Sequence, residues 1–212
     1  MTMDLCIGID VGSVAIKTYV TDQSGNLLFE GYDRTNGLPF HTSLRVLEGI
    51  LERYKGSRVS YFATTGSGGK ELSDLVGGDF VNEVVAQARA VAAEIPHVRT
   101  VIEMGGEDSK LLFFKSEDGR CLLEDFSMNA LCAAGTGSFL DQQAVRLGVS
   151  IEKEFGELAL QCGSPPRIAG RCSVFAKSDM IHLQQVGAPV PDIVSGLCHA
   201  LARNFKASIG KG

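Results

Sequence analysis

The sequence lacks several features that mark specialised classes of protein. It has no excess of basic residues, because 20 Lys and Arg stand against 25 Asp and Glu, for a formal net charge of −5. Without a basic stripe that could displace counterions from phosphate, we expect no nucleic-acid partner. No apolar run approaches the roughly 20 residues of a membrane span. The N-terminus also lacks the basic segment of a secretion signal. We therefore expect a cytoplasmic protein without a membrane anchor.

Cysteine spacing excludes a further class of site. None of the six cysteines forms a Cys-x-x-Cys pair with another, so the sequence predicts neither a zinc knuckle nor a thioredoxin-like site. Structural disulfides are rare in a reducing compartment. We therefore interpret most of these cysteines as small buried hydrophobic residues, namely Cys6, Cys121, Cys162 and Cys198.

The sequence is rich in glycine, with 25 among 212 residues, and it repeats one pattern of apolar segments and turns. The predicted strands cover residues 5–11, 15–21, 27–32 and 59–65, and then 98–104, 109–114 and 121–126. The predicted helices cover residues 42–54, 70–76, 82–93, 136–147, 151–160, 173–185 and 192–209. Thr42 or Ser43 is the expected N-cap of the first helix. The apolar stripes of helices 82–93 and 173–185 are expected to face the core.

A meander of three strands followed by helices therefore occurs twice. This order predicts an α/β protein with two similar lobes, residues 1–96 and 97–212. Duplicated lobes of this kind commonly hold a ligand in the cleft between them.

The turn after the first strand of each lobe is a candidate phosphate site. In each turn a carboxylate precedes a glycine by two positions: Asp10 and Gly12 in the first lobe, Glu103 and Gly105 in the second. Glycine lets backbone N–H groups approach an anion, Ser13 adds a hydroxyl donor, and Asp10 could hold Mg²⁺ through water. One such turn is usually only a hairpin. Two in equivalent places favour a clamp on the β- and γ-phosphates, where catalysis is positioning and electrostatics.

Both turns resemble the phosphate motifs of the actin/Hsp70/sugar-kinase ATPase superfamily. The resemblance implies two ribonuclease H-like lobes that bind ATP with Mg²⁺, with catalytic roles for Asp10, Glu103 and Glu107. The chain departs from the usual motifs where Val14 replaces Thr, Glu103 replaces Asp and Glu107 replaces Gln. The nucleotide-binding residues that the resemblance implies are Gly12, Ser13, Val14, Lys17, Gly105, Gly106, Asp108, Gly135, Thr136 and Gly137.

The most specific stretch is residues 129–141, NALCAAGTGSFLD. It resembles a motif of the ATP-dependent activators of 2-hydroxyacyl-CoA dehydratases and of the related benzoyl-CoA reductase ATPase subunits. Residues 170–178, GRCSVFAKS, are similar to the second cysteine segment of that family. The resemblance implies that Cys132 and Cys172 hold one [4Fe–4S] cluster across a homodimer. It also implies electron transfer from ferredoxin or flavodoxin to a CoA-ester dehydratase or reductase.

Residue chemistry is compatible with that implication. Two thiolates are too few for a cubane cluster, which needs four, and a two-fold axis would supply the others. Both Cys132 and Cys172 precede predicted helices, whose N-termini favour the thiolate form. From residue chemistry alone, two structural cysteines in Gly/Ala-rich turns remain the alternative.

Two other functions stay open at this stage. A small-molecule kinase of the same superfamily would use the same phosphate turns, with Asp33 or Asp74 as its base. An Hsp70-like nucleotide switch would need neither base nor cluster. In the resembled family a Gly-Gly-rich strand and turn that contribute to the adenosine pocket follow the last predicted helix. We therefore expect the second lobe to be incomplete at its C-terminal end.

Overall fold

The computed structural model describes residues 3–129 and 136–210. The chain forms two compact units, Met1–Pro96 (unit 1) and His97–Gly212 (unit 2). Each unit combines a sheet with helices, so the predicted α/β class is confirmed. Within the described ranges, no helix has both the length and the hydrophobicity of a transmembrane span.

Unit 1 is built on a five-stranded sheet of order β3-β2-β1-β4-β5. Its strands are β1 (Asp4–Val11), β2 (Ala15–Asp22), β3 (Leu27–Arg34), β4 (Arg58–Thr65) and β5 (Asp79–Phe80). Its helices are α1 (Pro39–Arg53), α2 (Gly69–Val76) and α3 (Glu83–Glu94). Strands β1 to β3 form an antiparallel meander, and β4 runs parallel to β1. This arrangement places the β1–β2 turn beside the end of β4.

The central strand β1 shows why the sheet has one covered face. Its residues alternate between buried and half-buried, as a period of two requires. Leu5, Ile7 and Ile9 pack into a core that includes Val46 of α1 and Leu72 of α2. The opposite face of the strand carries Asp10 near its C-terminal end, where the candidate site lies.

In its described residues, unit 2 contains a three-stranded antiparallel sheet and four helices. Its strands, in the order in which they pair, are β6 (Thr100–Met104), β7 (Ser109–Glu117) and β8 (Arg120–Asn129). Its helices are α4 (Gly137–Leu147), α5 (Phe155–Leu160), α6 (Ser173–Gln185) and α7 (Val190–Ser208). The long helix α7 is the centre of the core, where its residues Ile193 and Leu197 pack with Phe139 of α4 and Met180 of α6.

The starts of two helices differ from the prediction by three residues or more. Helix α1 begins at Pro39, so Thr42 and Ser43 are not its N-cap; both are buried inside the helix. Proline is favoured at the first helical position because its φ is already helical and its missing N–H costs nothing there. Helix α5 begins only at Phe155, since residues 151–154 form a turn.

The apolar faces of two helices are less buried than predicted. No residue of α3 is buried, so the prediction that its stripe faces the core is wrong. Helix α6 buries Ala176 and Met180 but leaves Val174 and Phe175 exposed. Helical periodicity identifies an apolar face without specifying what covers it.

The four cysteines interpreted as buried residues are only half-buried. Cys6, Cys121, Cys162 and Cys198 are free thiols of intermediate exposure. Burial nevertheless raises the pKa of the Cys198 thiol on α7, because a partly apolar environment disfavours the thiolate.

Candidate functional site

The β1–β2 turn of unit 1 pairs an acidic residue with a basic one. Asp10 lies opposite Lys17 in the antiparallel register, and the Lys17 ammonium donates to Asp10 Oδ2 at 2.8 Å. The lysine side chain is 50% exposed and the aspartate 27%. Ion pairs in such wet surroundings contribute about 0–1 kcal/mol, so a ligand could separate these two side chains at little cost.

Thr35 donates hydrogen bonds to the backbone of this turn. Gly12 N donates to Ala15 O at 3.1 Å, and a Cβ on Gly12 would lie only 2.8 Å from that oxygen. The Thr35 hydroxyl donates to Ser13 O at 2.5 Å, and Thr35 N donates to Val14 O at 2.9 Å. With these carbonyls engaged, the turn is held in one conformation. Thr35 is a supporting residue that sequence reasoning missed.

The β4–α2 loop of unit 1 packs closely against Asp10. Gly66, which follows β4, has φ +86°, and a Cβ there would lie 2.7 Å from Val11 O and collide with Asp10 Oδ1. Gly68 N donates to Val11 O at 3.0 Å. Only glycine meets both demands without strain. The β4–α2 loop therefore forms a wall beside the Asp10 carboxylate.

The β6–β7 turn of unit 2 contains a buried ion-pair cluster. Lys110, which lies opposite Glu103 in the register, donates to Glu103 Oε2 and to Asp108 Oδ1, each at 2.9 Å. The lysine side chain is 1% exposed, and the two carboxylates are 26% and 25% exposed. A buried charge requires such partners. Glu107 is exposed at the same turn.

The two turns share one residue pattern. Each has an acid, a glycine two positions later, and a lysine seven positions after the acid: 10, 12 and 17 in unit 1, and 103, 105 and 110 in unit 2. Sequence reasoning identified Lys17 and missed Lys110. The equal spacing was available as a signal, because both lysines fall directly opposite the acid across an antiparallel pair.

The start of helix α4 is bonded onto the turn of unit 2. The Thr136 hydroxyl donates to Gly106 O at 2.8 Å, and Gly137 N donates to Gly105 O at 2.7 Å. Ser138 N also donates to Gly106 O, at 3.1 Å. The structure thus brings together four of the residues predicted to bind nucleotide. The predicted residues Gly135 and Cys132 lie outside the described residues.

Cys172 occupies the N-cap position of α6, as its place before a predicted helix suggested. Its side chain is half-buried. Two residues in the first turn of the helix, Val174 and Phe175, are each 66% exposed. The thiol therefore borders an exposed apolar surface.

The segment before Cys172 is anchored by side chains of the two neighbouring helices. Arg203 of α7 donates to Ile168 O at 2.8 Å, and Asp179 of α6 accepts from Ala169 N at 2.7 Å. Ile168 itself is buried in the core of unit 2. These contacts fix the backbone that leads to the thiol.

A cleft of 1090 Å³ in unit 1 is lined by Asp10 and Lys17, and residues of α3 also line it. The candidate bases of the kinase hypothesis are not among its lining residues. Asp33 is paired with Arg45 at 3.1 Å, and Asp74 is exposed on α2. Neither of the two bases that the kinase hypothesis named therefore lines this cleft.

Known proteins resemble the chain over nearly its whole length. The 2-hydroxyisocaproyl-CoA dehydratase activator of Clostridioides difficile is 31% identical over 205 residues, 96% of this chain and 74% of that protein. One subunit of the benzoyl-CoA reductase of Thauera aromatica is 31% identical over 206 residues, 94% and 71% of the two chains. The solved structure of the C. difficile activator with bound ADPNP matches with a TM-score of 0.82 over 96% of this chain and 74% of that one.

The family model of the BadF/BadG/BcrA/BcrD ATPases matches residues 7–211. This match covers both phosphate turns and both cysteine segments. The chain therefore belongs to the BadF/BadG/BcrA/BcrD ATPase family and is an ATPase.

Proposed function

We propose that this ATPase is an electron-transfer activator. ATP hydrolysis would drive delivery of single electrons, through a [4Fe–4S] cluster held by Cys132 and Cys172, to a partner 2-hydroxyacyl-CoA dehydratase or related CoA-ester reductase. The partner class is supported by the relatives, which are named as activators of CoA-ester dehydratases or as part of benzoyl-CoA reductase.

The turns of both units are proposed to contribute to binding of ATP with Mg²⁺. Gly12 and Gly105 have no side chain that would cover the surface of the two turns. There is also no room for one at Gly105, where a Cβ would lie 2.8 Å from Asp108 Oδ1. Backbone N–H groups there, together with Ser13 and Lys17, would bind phosphate oxygens. The nearby carboxylates suit hydrated Mg²⁺. The remaining proposed nucleotide contacts are Val14, Gly106, Asp108, Gly135, Thr136 and Gly137.

Three carboxylates would carry the catalytic roles. Asp10 and Glu103 stand at the same place in the two turns, each opposite a lysine. They would orient the metal-bound water molecules. Glu107 is exposed at the tip of its turn, where it could position the attacking water. Catalysis would rest on positioning and electrostatics, as in other phosphoryl transfers.

One observation carries the proposed coupling between nucleotide and cluster. The start of α4 is bonded to the phosphate turn of unit 2 through Thr136 and Gly137. Cys132 lies only four positions before Thr136 in the sequence. A change in the turn on hydrolysis would therefore move the segment that carries this cysteine.

The described part of the chain also suits a cluster ligand at Cys172. The thiol stands at a helix N-terminus, where N–H groups and the helix dipole favour a thiolate. The exposed Val174 and Phe175 would be covered by a second protomer in a homodimer, which would complete the four thiolates. Such a cluster would supply single electrons at low potential, with ferredoxin or flavodoxin as the donor in the cytoplasm.

The test is the iron and acid-labile sulfide content, with the visible spectrum, of anaerobically reconstituted protein. We expect about two irons per chain and a broad band near ~400 nm for the wild type. Cys172→Ala should lose both signals. Cys121→Ala is the matched control, because Cys121 is also a half-buried thiol of unit 2 but lies on β8, and it should keep both.

Two results would contradict the proposal. A wild-type chain that binds no iron after reconstitution would exclude the cluster, and with it electron transfer. A Cys172→Ala variant with the wild-type iron content would exclude Cys172 as a ligand. Circular dichroism of each variant confirms that lost iron does not reflect lost fold.

A further inference from the structure

Two buried hydroxyl groups of unit 1 make no hydrogen bond to any residue in the described ranges, those of Thr18 and Thr65. Buried polar side chains almost always have a hydrogen-bond partner. Each of these hydroxyls therefore calls for an explanation, and their surroundings differ.

Thr18 belongs to the core. Its side chain is 3% exposed and lies on the same face of β2 as the fully buried Ile16 and Val20. Around it are the aliphatic side chains between the sheet and its covering helices. A threonine here fills the volume of a valine. Thr18 also borders the cleft of unit 1, but its side chain lies on the core face of the sheet, away from Asp10.

Thr65 lies on the opposite face, beside Asp10. The two residues are partners in the parallel register of β1 and β4, and directly paired residues point to the same side of a sheet. Both line the cleft of unit 1, as Thr18 and Thr64 also do. The preceding Thr64 points the other way and uses its hydroxyl, which donates to Gly69 O at 2.6 Å. Of two adjacent threonines, only the one beside the carboxylate has an unused hydroxyl.

The loop after Thr65 packs against the same carboxylate. Gly66, with φ +86°, packs so closely on Asp10 and Val11 that it admits no side chain. Lys17 engages Asp10 Oδ2. The Asp10 carboxylate thus contacts the Lys17 ammonium and lies beside the β4–α2 loop, and Thr65 is its partner on the neighbouring strand.

We propose that Thr65 is a further binding residue of the nucleotide–metal site, an assignment that rests on the proposed function. Its Oγ1 accepts a hydrogen bond from a water molecule of the hydrated Mg²⁺ that Asp10 orients. Mg²⁺ keeps several of its waters when it binds with nucleotide phosphates. A hydroxyl has two acceptor lone pairs and one donor, so it can hold such a water beside a carboxylate. This contact supplies the partner that the described residues do not.

The test compares three variants of the full chain. Thr65→Val removes the hydroxyl with little change in shape, Thr65→Ser keeps it, and Thr18→Val removes the other unpaired hydroxyl as the matched control. Calorimetric titration measures binding of a non-hydrolysable ATP analogue, once with Mg²⁺ and once with EDTA. With Mg²⁺ we expect Thr65→Val to bind about three- to tenfold more weakly, the value of one hydrogen bond. Thr65→Ser and Thr18→Val should match the wild type, and with EDTA all four should agree.

The possible failures are distinguishable. If the wild type binds the analogue and Thr65→Val binds it equally well with Mg²⁺, the assignment of Thr65 is wrong and the proposed function stands. If Thr65→Val weakens binding equally with EDTA, its hydroxyl does not act through Mg²⁺, and the assignment is again wrong. If the wild type binds no analogue in either buffer, the proposed function fails together with this assignment. Thermal unfolding without ligand checks the fold, and Thr65→Ala replaces the valine variant with the same expectation if that variant does not fold.

Discussion

Replacing Lys110 by Met should destabilise unit 2 far more than replacing Lys17 by Met destabilises unit 1. Methionine has nearly the length of lysine and no charge, so it keeps the packing of the stem and removes the cation. In unit 2 this change leaves two carboxylates, those of Glu103 and Asp108, without the ammonium that contacts both at 2.9 Å. In unit 1 it leaves one partly hydrated carboxylate, that of Asp10.

The magnitudes follow from exposure. Breaking a buried ion pair by removing one partner costs about 3–5 kcal/mol. Lys110 is 1% exposed, but its carboxylate partners are 26% and 25% exposed, so water can partly rehydrate them. We therefore expect a loss of about 3 kcal/mol, near the bottom of that range. Lys17 is 50% exposed, and its loss should cost less than about 1 kcal/mol.

The assay is urea unfolding. Far-UV circular dichroism reports on both units, whereas tyrosine fluorescence reports on unit 1 alone, because all four tyrosines precede residue 97. Lys110→Met should lower the free energy of unfolding in the dichroism signal. Adding Glu103→Gln to that variant should restore part of the loss, since it removes one of the two unpaired carboxylates.

The reasoning fails if Lys110→Met lies within about 1 kcal/mol of the wild type, the value for an exposed pair. It also fails if Lys17→Met is equally destabilising, because burial would then not be the deciding factor. An additive Glu103→Gln effect would show that the carboxylates do not interact through Lys110.

Two further variants test other parts of the structure. Gly66→Ala should lower stability more than Gly25→Ala, because both glycines have positive φ but only Gly66 has no room for a Cβ; the difference in urea midpoint measures the clash, and equal midpoints would refute the close packing. The Cys162 thiol and two backbone N–H groups lower the pKa of Asp192 below its usual 3.8, so its stabilisation is complete above that pH and is lost as the pH falls through the lowered value. Asp192→Asn should therefore show a shallower fall of Tm between pH 4 and pH 2 than the wild type, and parallel curves would contradict the assignment.

The strands of the sheet were largely predictable because their signal is local. The alternation along β1 and the glycine turn after it fix both the strand and its end. Strand β5, only two residues long, carries no periodicity that a sequence could reveal. The start of α1 at Pro39 shows the preference of proline for the first helical turn prevailing over nearby capping residues.

The candidate site also combines residues that are close in sequence, which could be predicted, with distant ones that could not. The acid and glycine of each phosphate turn are close in sequence, so their pattern was visible. The residues that support the turn come from far along the chain. Thr35 bonds a carbonyl 22 positions away, and Thr65 meets Asp10 only because β4 pairs with β1. Such contacts depend on strand order, which local patterns do not encode.

One residue pattern therefore yields two turns of different character. In unit 1 the Asp10–Lys17 pair is exposed to water. Little free energy is therefore lost if Lys17 binds a phosphate and Asp10 a hydrated cation in place of each other. In unit 2 Lys110 is buried and holds two carboxylates in place, and rearranging it would break a desolvated cluster. This β6–β7 turn is also the one that is hydrogen-bonded to the start of α4. Under the proposed function, the turn of unit 1 would change its side-chain pairing when the ligand binds. The turn of unit 2 would keep its internal contacts, so a displacement of that turn would be transmitted towards the cysteine segment.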